Sequence, residues 1–385
     1  MKVIISGGGS GGHIFPAVAI ANAIRARHAD AEILFVGAEG RMEMEKVPAA
    51  GYKIVGLPIA GLQRQLSFAN IVKNLQLPFK VVRSQCKVRS VIKQFHPDIV
   101  VGVGGFASEP TLKVASRLGY TTLIQEQNSY AGLTNKTLAK SAAKICVAYD
   151  GMERFFPKEK IVYTGNPVRA DIERLYDGFS DSQSDGTSAS AGQTFGVDVS
   201  KPVVLSVGGS LGARSINQMI LDNLGFFKDN DIQIIWQTGR WMYDQAVKAV
   251  EEAEVGQWVK VHQFISRMDL AYSAANVVIS RAGAIAISEL CLVGKPVILI
   301  PSPNVAEDHQ TKNAMALVNK GAALMVRDNE CGAKGLPMAL ELLHDKDRCE
   351  QMSKAIRSLA APHAADRIVD EIESLICELG IIHNS

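Results

Sequence analysis

A chain of 385 residues with 47% hydrophobic and 21% charged residues can bury two cores, which fits a two-domain globular protein and excludes a disordered or fibrous one. A formal net charge of +2 excludes recognition by bulk charge, so only its local distribution is informative. Six scattered cysteines without a C-x-x-C pair predict reduced core thiols in a cytosolic protein. Met1–Ile5 meets glycine too early for a signal peptide, and no apolar run nears the ~18 residues of a spanning helix.

The chain opens with a strand at Val3–Ile5 that runs into Gly7-Gly8-Gly9-Ser10-Gly11-Gly12-His13, followed by a helix pattern from Pro16 to Ile24. Glycines permit a sharp turn and close approach of a ligand, and the helix start offers open N–H groups to an anion. Gly7, Gly9 and Gly12 satisfy G-x-G-x-x-G, but the second strand, Ile33–Val36, ends in Gly37 where a nicotinamide site wants an acid. His13 is a titratable group at the mouth of this loop, a candidate base set against a capping or packing role.

Strands at Ile99–Val103, Thr121–Ile124 and Lys144–Ala148 alternate with amphipathic stretches, which predicts parallel βα units. From Lys46 to Lys93 there are nine Lys or Arg (46, 53, 64, 73, 80, 83, 87, 89, 93) and no acid, interleaved with Leu62, Leu66, Phe68, Ile71, Leu75, Leu77 and Phe79. That pattern suits an anionic membrane surface, with a core plus a solvated basic face as the alternative. Base-stacking aromatics are too scarce for nucleic acid. Glu126-Gln127-Asn128 closes a strand with hydrogen-bonding side chains suited to a sugar, or forms a plain polar loop. Gly178–Thr194, rich in Ser, Gly and Asp, reads as a solvated loop or disordered insert.

The pattern then restarts. Val203–Val207 leads into Gly208-Gly209-Ser210-Leu211-Gly212-Ala213-Arg214, where Ser210 and Arg214 could serve a phosphate, and strands follow at Ile232–Trp236, Val259–Val261, Val277–Ser280 and Pro296–Ile300. After Ser280 a small-residue turn starts a helix near Ala284 whose N-terminus is open to a diphosphate. Glu289 lies one turn beyond Ile285, ~6 Å along the axis, placed for both hydroxyls of a ribose or else favoured by the helix dipole. Glu307–Asn313 should hang polar groups over the same cleft. Asp229-x-Asp231 and Asp345-x-Asp347 have metal-diphosphate spacing but fall in predicted surface turns, so no metal is predicted. His363–Leu379 is a closing helix. The expected fold is α/β, two doubly wound domains whose loops face a deep cleft.

These motifs together resemble the MurG family, peripheral membrane N-acetylglucosaminyltransferases of peptidoglycan synthesis. The matching pieces are Gly8–His13, Gly104-Gly105-Phe106, Glu126-Gln127-Asn128, Gly132–Lys136, Gly165–Arg169, Gly208–Arg214, Arg281-x-Gly283 to Glu289, and Asp308-His309-Gln310, spanning essentially the whole chain. The resemblance implies a GT-B fold of two Rossmann-like, doubly wound parallel-sheet domains facing across a cleft. Residues 1–167 with the helix 363–385 would form the acceptor and membrane side, and 168–362 the UDP-GlcNAc-binding domain. It implies inverting transfer of GlcNAc from UDP-GlcNAc to the C4 hydroxyl of MurNAc in undecaprenyl-diphosphoryl-MurNAc-pentapeptide (lipid I), giving lipid II and UDP. The enzyme would act at the cytoplasmic face of the bacterial plasma membrane, with no cofactor and no nucleic acid.

Carried over position by position, Ser10, Gly11 and Gly12 line the cleft, Asn128 contacts the sugar, and Arg169 and Ser210 face the phosphates. Asn135 belongs to the substrate-binding set, and Ile265 meets uracil through its backbone. Ala284, Ile285, Ala286, Ile287, Ser288 and Glu289 hold diphosphate and ribose, and Gln310 the GlcNAc hydroxyls. His13 is the candidate base and Glu126 the runner-up. Phe106 replaces a frequent tyrosine, so no phenol serves there, and the 178–194 linker is longer than the family needs. A UDP-GlcNAc 2-epimerase-like enzyme would share the nucleotide half, and a scaffold with a dead site is the non-enzyme alternative.

Overall fold

Strands packed between two helical layers must be apolar on both faces, and the aliphatic runs of this chain form such strands. The computed structural model describes residues 1–59, 77–180, 185–209, 211–378 and 380. The chain divides into two units, residues 1–168 with 363–385 and residues 169–362.

The first unit holds seven strands: β1 (Lys2–Ser6), β2 (Glu32–Ala38), β3 (Lys53–Leu57), β4 (Ile99–Gly102), β5 (Thr122–Glu126), β6 (Lys144–Val147) and β7 (Ile161–Tyr163). They form one parallel sheet in the order β3-β2-β1-β4-β5-β6-β7. The helices are α1 (Gly11–Arg27), α2 (Glu43–Ala49), α3 (Leu77–Phe95), α4 (Ser108–Arg117) and α5 (Leu133–Leu138). Alternate side chains of one strand enter opposite layers. Val3 and Ile5 pack with Ile14, Ile20 and Ile24 of α1, whereas Ile4 packs with Val88 and Ile92 of α3 and Leu112 of α4. The first layer is completed by the last helix of the chain, Ala364–Glu378, through Ile368, Val369, Ile372, Leu375 and Ile376. Arg27 pins that helix at its edge, donating to Asp370 at 2.5 Å. The pair is partly exposed, so it adds at most about 1 kcal/mol to what the apolar contact supplies.

The second unit contains α6 (Ala170–Ser180), α7 (Asp185–Phe195), α8 (Arg214–Leu221), α9 (Leu224–Asp229), α10 (Tyr243–Glu252), α11 (Met268–Ala274), α12 (Ala284–Val293), α13 (His309–Val318), α14 (Cys331–His344) and α15 (Lys346–Arg357). Its strands are β8 (Val203–Val207), β9 (Gln233–Gln237), β10 (Val259–His262), β11 (Val277–Ser280), β12 (Val297–Leu299) and β13 (Leu324–Met325), parallel in the order β10-β9-β8-β11-β12-β13. The strand order reverses between β1 and β4 in one sheet and between β8 and β11 in the other. Loops at such a reversal diverge and leave a crevice at the carboxyl ends of the strands.

Three expectations are corrected. Helix α1 starts at Gly11, not Pro16, because the Ser10 carbonyl already accepts the N–H of His13 (3.1 Å) and of Ile14 (3.2 Å). The Gly178–Thr194 stretch is not a loop outside residues 181–184, which lie beyond the described residues. Its end is helix α7, where Ala191 and Phe195, one turn apart, are buried and the helix packs on α11. Sheet edges β3, β7 and β13 were not anticipated, since short, half-buried edge strands lack the continuous apolar run of central ones. Residues 60–76 of the basic apolar stretch lie outside the described residues.

Candidate active site

In the first unit the loop after β1 carries the glycines and His13. Its brace is Glu43, which opens α2 and is 1% exposed. Its carboxylate accepts the N–H of Gly9 and of Ala38, both at 3.0 Å. A Cβ on Gly8, whose φ is +149°, would stand 2.2 Å from Glu43 Oε1, so glycine is required for the carboxylate to come this close. Ser10 is exposed, makes no side-chain cap, and leaves the first turn of α1 without an acid. Ser10, Gly11 and Gly12 therefore present an open helix start to an anion.

His13 stands in that first turn, partly buried, with Nδ1 3.0 Å from Gln127 Oε1. The loop after β4 makes room for it: a Cβ on Gly104, at φ +92°, would lie 2.9 Å from His13 Cε1. Gln127 is itself buried, donating from Nε2 to Val103 O at 2.9 Å and to Gln125 O at 3.2 Å. Glu126, the rival base, has a different occupation. Its Oε1 accepts the Asn128 N–H (3.0 Å) and side-chain amide (3.2 Å), and its Oε2 accepts the Gly132 N–H (3.0 Å) and Asn135 Nδ2 (2.9 Å). Four donors on a carboxylate 1% exposed make it the clasp of the 128–135 loop. Asn128 and Asn135, both placed in the substrate-binding set by resemblance, are drawn together by this clasp, and Asn135 is 2% exposed.

In the second unit a cleft of about 720 Å³ opens at the strand reversal. The ends of β8 and β11 line it with Gly208, Gly209, Gly212, Arg281 and Gly283, and Arg214, Ser302, Gln310 and Asp328 complete its walls. Helix α12 begins here. Gly283 is its N-cap without a side-chain bond, and the first intrahelical bond runs from Ile287 N–H to Gly283 O at 2.9 Å. The N–H groups of Ala284, Ile285 and Ala286 precede that bond and have no intrahelical acceptor. The Ile287 side chain is core, 1% exposed, and Ser288 Oγ donates to Ala284 O at 3.1 Å. Arg281 brings a positive charge to the wall, held by Asp328 Oδ1 (2.5 Å), Ile300 O (3.0 Å) and Ser215 Oγ (2.8 Å). Gln310 Oε1 accepts the Ser302 N–H at 2.8 Å. That contact fixes a side chain that follows two residues, Glu307 and Asp308, in left-handed backbone conformation.

Glu289 and Arg169 meet. Arg169 Nε donates to Glu289 Oε1 at 3.1 Å, and the Tyr272 hydroxyl donates to Oε2 at 3.3 Å. Burial pushes the Glu289 carboxyl above its ordinary range, and the neighbouring Arg169 opposes that rise. Ile265 is 3% exposed, with its N–H given to Gln237 Oε1 at 2.9 Å, so only its carbonyl is left for a base. Ser210 lies outside the described residues. Asp231 is tied to Lys201 and Trp258, and Asp345 caps α15 through the Arg348 N–H. Among the described residues no group of three or more His, Cys, Asp or Glu could hold a metal ion. Glu43, Ser215, Tyr272 and Asp328 were not singled out as site residues from sequence, since none has a local signal, and Gln127 was noted only as part of the polar Glu126-Gln127-Asn128 cluster.

Two tandem doubly wound sheets, with glycine loops at both reversals and a cleft of about 720 Å³ in the second, have the GT-B architecture, and the matching families make the chain a glycosyltransferase of that fold. Residues 3–147 match the glycosyltransferase family 28 N-terminal domain and residues 203–368 its C-terminal domain. The chain is 56% identical over 375 residues, 97% of its length and 98% of the relative's, to the UDP-N-acetylglucosamine–N-acetylmuramyl-(pentapeptide) pyrophosphoryl-undecaprenol N-acetylglucosamine transferase of Parabacteroides distasonis. It is 53% identical over 377 residues to the enzyme of that name from Porphyromonas gingivalis, covering 98% and 96%. The crystal structure of Acinetobacter baumannii MurG superposes with a TM-score of 0.74 at 26% identity, covering 97% and 99% of the two chains. A UDP-GlcNAc 2-epimerase from Neisseria meningitidis shares the fold alone, with a TM-score of 0.62 at 15% identity over 97% and 100%. The chain belongs to the MurG family within glycosyltransferase family 28.

The clasp geometry of Glu126 yields a test. Glu126→Gln sets an amide NH₂ against N–H donors and removes the charge, which should cost about 2–3 kcal/mol. Hydrogen exchange should quicken across residues 127–136, while the acidic limb of the pH–rate profile stays in place. Disappearance of that limb with an unchanged exchange pattern would make Glu126 the base instead.

Proposed function

We propose that this enzyme transfers GlcNAc from UDP-GlcNAc to the C4 hydroxyl of MurNAc in an undecaprenyl-diphosphoryl-MurNAc-pentapeptide, releasing UDP. The observation that carries this reading is the near-full-length identity to enzymes of that name. The second unit takes the donor. Its diphosphate sits at the open N–H groups of Ala284–Ala286, with Arg214 and Arg281 supplying positive charge, Glu289 beneath the ribose and Gln310 on the sugar hydroxyls. Arg169 serves the donor by holding Glu289 as a carboxylate. The first unit takes the acceptor on the loops that Glu43 and Glu126 brace. His13 accepts the proton of the attacking hydroxyl as its oxygen bonds to the anomeric carbon. The bond to the UDP oxygen breaks with its electron pair on UDP, so the α-linked donor gives a β bond in one displacement. Leaving-group charge is met by helix N–H groups and arginine rather than by a metal.

Labelled UDP-GlcNAc incubated with short-chain lipid I should give labelled disaccharide-lipid and UDP. Release of 2-epimerised sugar without transfer would overturn the reading in favour of the epimerase. His13→Ala should lower kcat about 10²–10⁴-fold with donor binding intact and remove the acidic limb. Near-full turnover would reduce His13 to a loop residue.

The raised Glu289 pKa sets the sign of a pH effect. A carboxyl that holds its proton above the ordinary range loses charge earlier on acidification, and with it the grip on the ribose hydroxyls. Donor KM should therefore rise as pH falls, beginning above the pH at which an exposed glutamate titrates. Glu289→Gln should raise KM at neutral pH, by the equivalent of about 1.5–3 kcal/mol, converge with the parent enzyme as acid neutralises its carboxyl, and so flatten that dependence. An unchanged KM in the folded variant rules out the ribose role.

Attachment to an anionic membrane is assigned to α3, without nucleic acid as partner. Ser84, Val88 and Ile92 face the core, while Phe79 (86% exposed), Val82, Arg83, Arg89 and Lys93 face out. Lys87 is paired with Glu39 at 2.9 Å. Among the described residues no helix is long and apolar enough to cross a membrane. Neutralising Arg83, Arg89 and Lys93 together should weaken binding to phosphatidylglycerol vesicles by about 1 kcal/mol per charge, with turnover on a soluble acceptor preserved. Equal vesicle binding by variant and parent returns the helix to a solvated basic face.

A further inference from the structure

We propose that Gln127 is a positioning residue that fixes the His13 ring as its Nδ1–H tautomer, leaving the lone pair on Nε2. The proposal rests on His13 as the base, yet the tautomer itself is decided by contacts on the ring alone.

The Gln127 amide has one acceptor end and one donor end. Its NH₂ faces the carbonyls of Val103 (2.9 Å) and Gln125 (3.2 Å), with the Gln125 side-chain oxygen also against it. Turning the amide over would set its oxygen against three other oxygens, so the donor end is fixed. A second amide keeps the residue from shifting. Asn166 Nδ2 donates to Gln127 O at 2.9 Å, and Asn166 Oδ1 accepts Gln125 Nε2 at 2.9 Å. Gln125, Gln127 and Asn166 are all at most 2% exposed, so water offers them no alternative partner. Gln127 Oε1 is therefore a pure acceptor aimed at His13 Nδ1, 3.0 Å away. Nδ1 must donate, and in the neutral ring Nε2 is then unprotonated. Among the described residues nothing bonds Nε2.

The arrangement gives the ring a direction. The acceptor hydroxyl proton passes to Nε2, and the imidazolium that forms keeps its Nδ1–H on Oε1, so the ring does not rotate during transfer. A ring released from this contact is free to take the Nε2–H form, whose proton occupies the position the base needs.

The full-length enzyme labelled with ¹⁵N-histidine should show His13 with a protonated Nδ1 and an unprotonated Nε2 in its neutral form. Gln127→Leu should shift the ring toward Nε2–H and lower kcat about 10–100-fold with donor KM unchanged. Gln127→Glu keeps an acceptor at Nδ1. Its second oxygen would face the Val103 and Gln125 oxygens, so it fits there as the protonated acid, donating where the amide did; it should retain the tautomer and recover part of the turnover lost in the leucine variant. A wild-type ring protonated on Nε2 overturns the proposal, as does a leucine variant that keeps the Nδ1–H form. Should the leucine variant not fold, the wild-type spectrum and the glutamate variant decide. Near-full turnover in His13→Ala would overturn the base and leave the tautomer standing, so the two failures are distinct.

Discussion

A carboxylate withdrawn from water must be met by hydrogen-bond donors or by a cation, and this constraint organises the chemistry of both units. Glu43 and Glu126 are each 1% exposed and each meets it with N–H groups, mostly from the loops they hold. Strand ends that would otherwise be mobile glycine and polar turns are thereby fixed around His13. Glu289 meets the same demand with a guanidinium and a phenol, Arg169 and Tyr272. Backbone donors hold loop shape, whereas a side-chain cation leaves an ionisable group poised to respond to a ligand.

The two units apply one topological device to two tasks. In each sheet the strand order reverses beside the first strand, and the loops flanking that reversal are glycine-rich. In the first unit the reversal admits an imidazole, because Gly104 carries no side chain in its path. In the second it frames the start of α12 and the Arg281–Asp328 pair, a setting for phosphate charge.

The central strands were legible because burial on both faces leaves an uninterrupted apolar run, as at Val3–Ile5 and Val277–Ile279. The edge strands β3, β7 and β13 were not, although the edge strand β10 was, and neither was α7, whose Ser and Gly content hides the Ala191–Phe195 face. Glycine loops, His13, Gln310 and the open end of α12 could be placed from local pattern. The residues that brace them could not. Glu43 is 34 positions from Gly9, Gln127 is 114 from His13, and Asp328 is 47 from Arg281, so only the folded sheet joins them. The resemblance puts Arg169 on the phosphate side, and its Nε donates to Glu289, a contact no spacing encodes.

The last helix closes the layer that the first strand begins. Val3 and Ile5 emerge from the ribosome long before Ile368, Val369 and Ile372, which cover their layer. The second unit, residues 169–362, is translated whole in the interval. Synthesis order and completion order are therefore inverted. The later half of the protein can finish its core while the earlier half still exposes an aliphatic face, and that face is what a nascent-chain chaperone would find to hold.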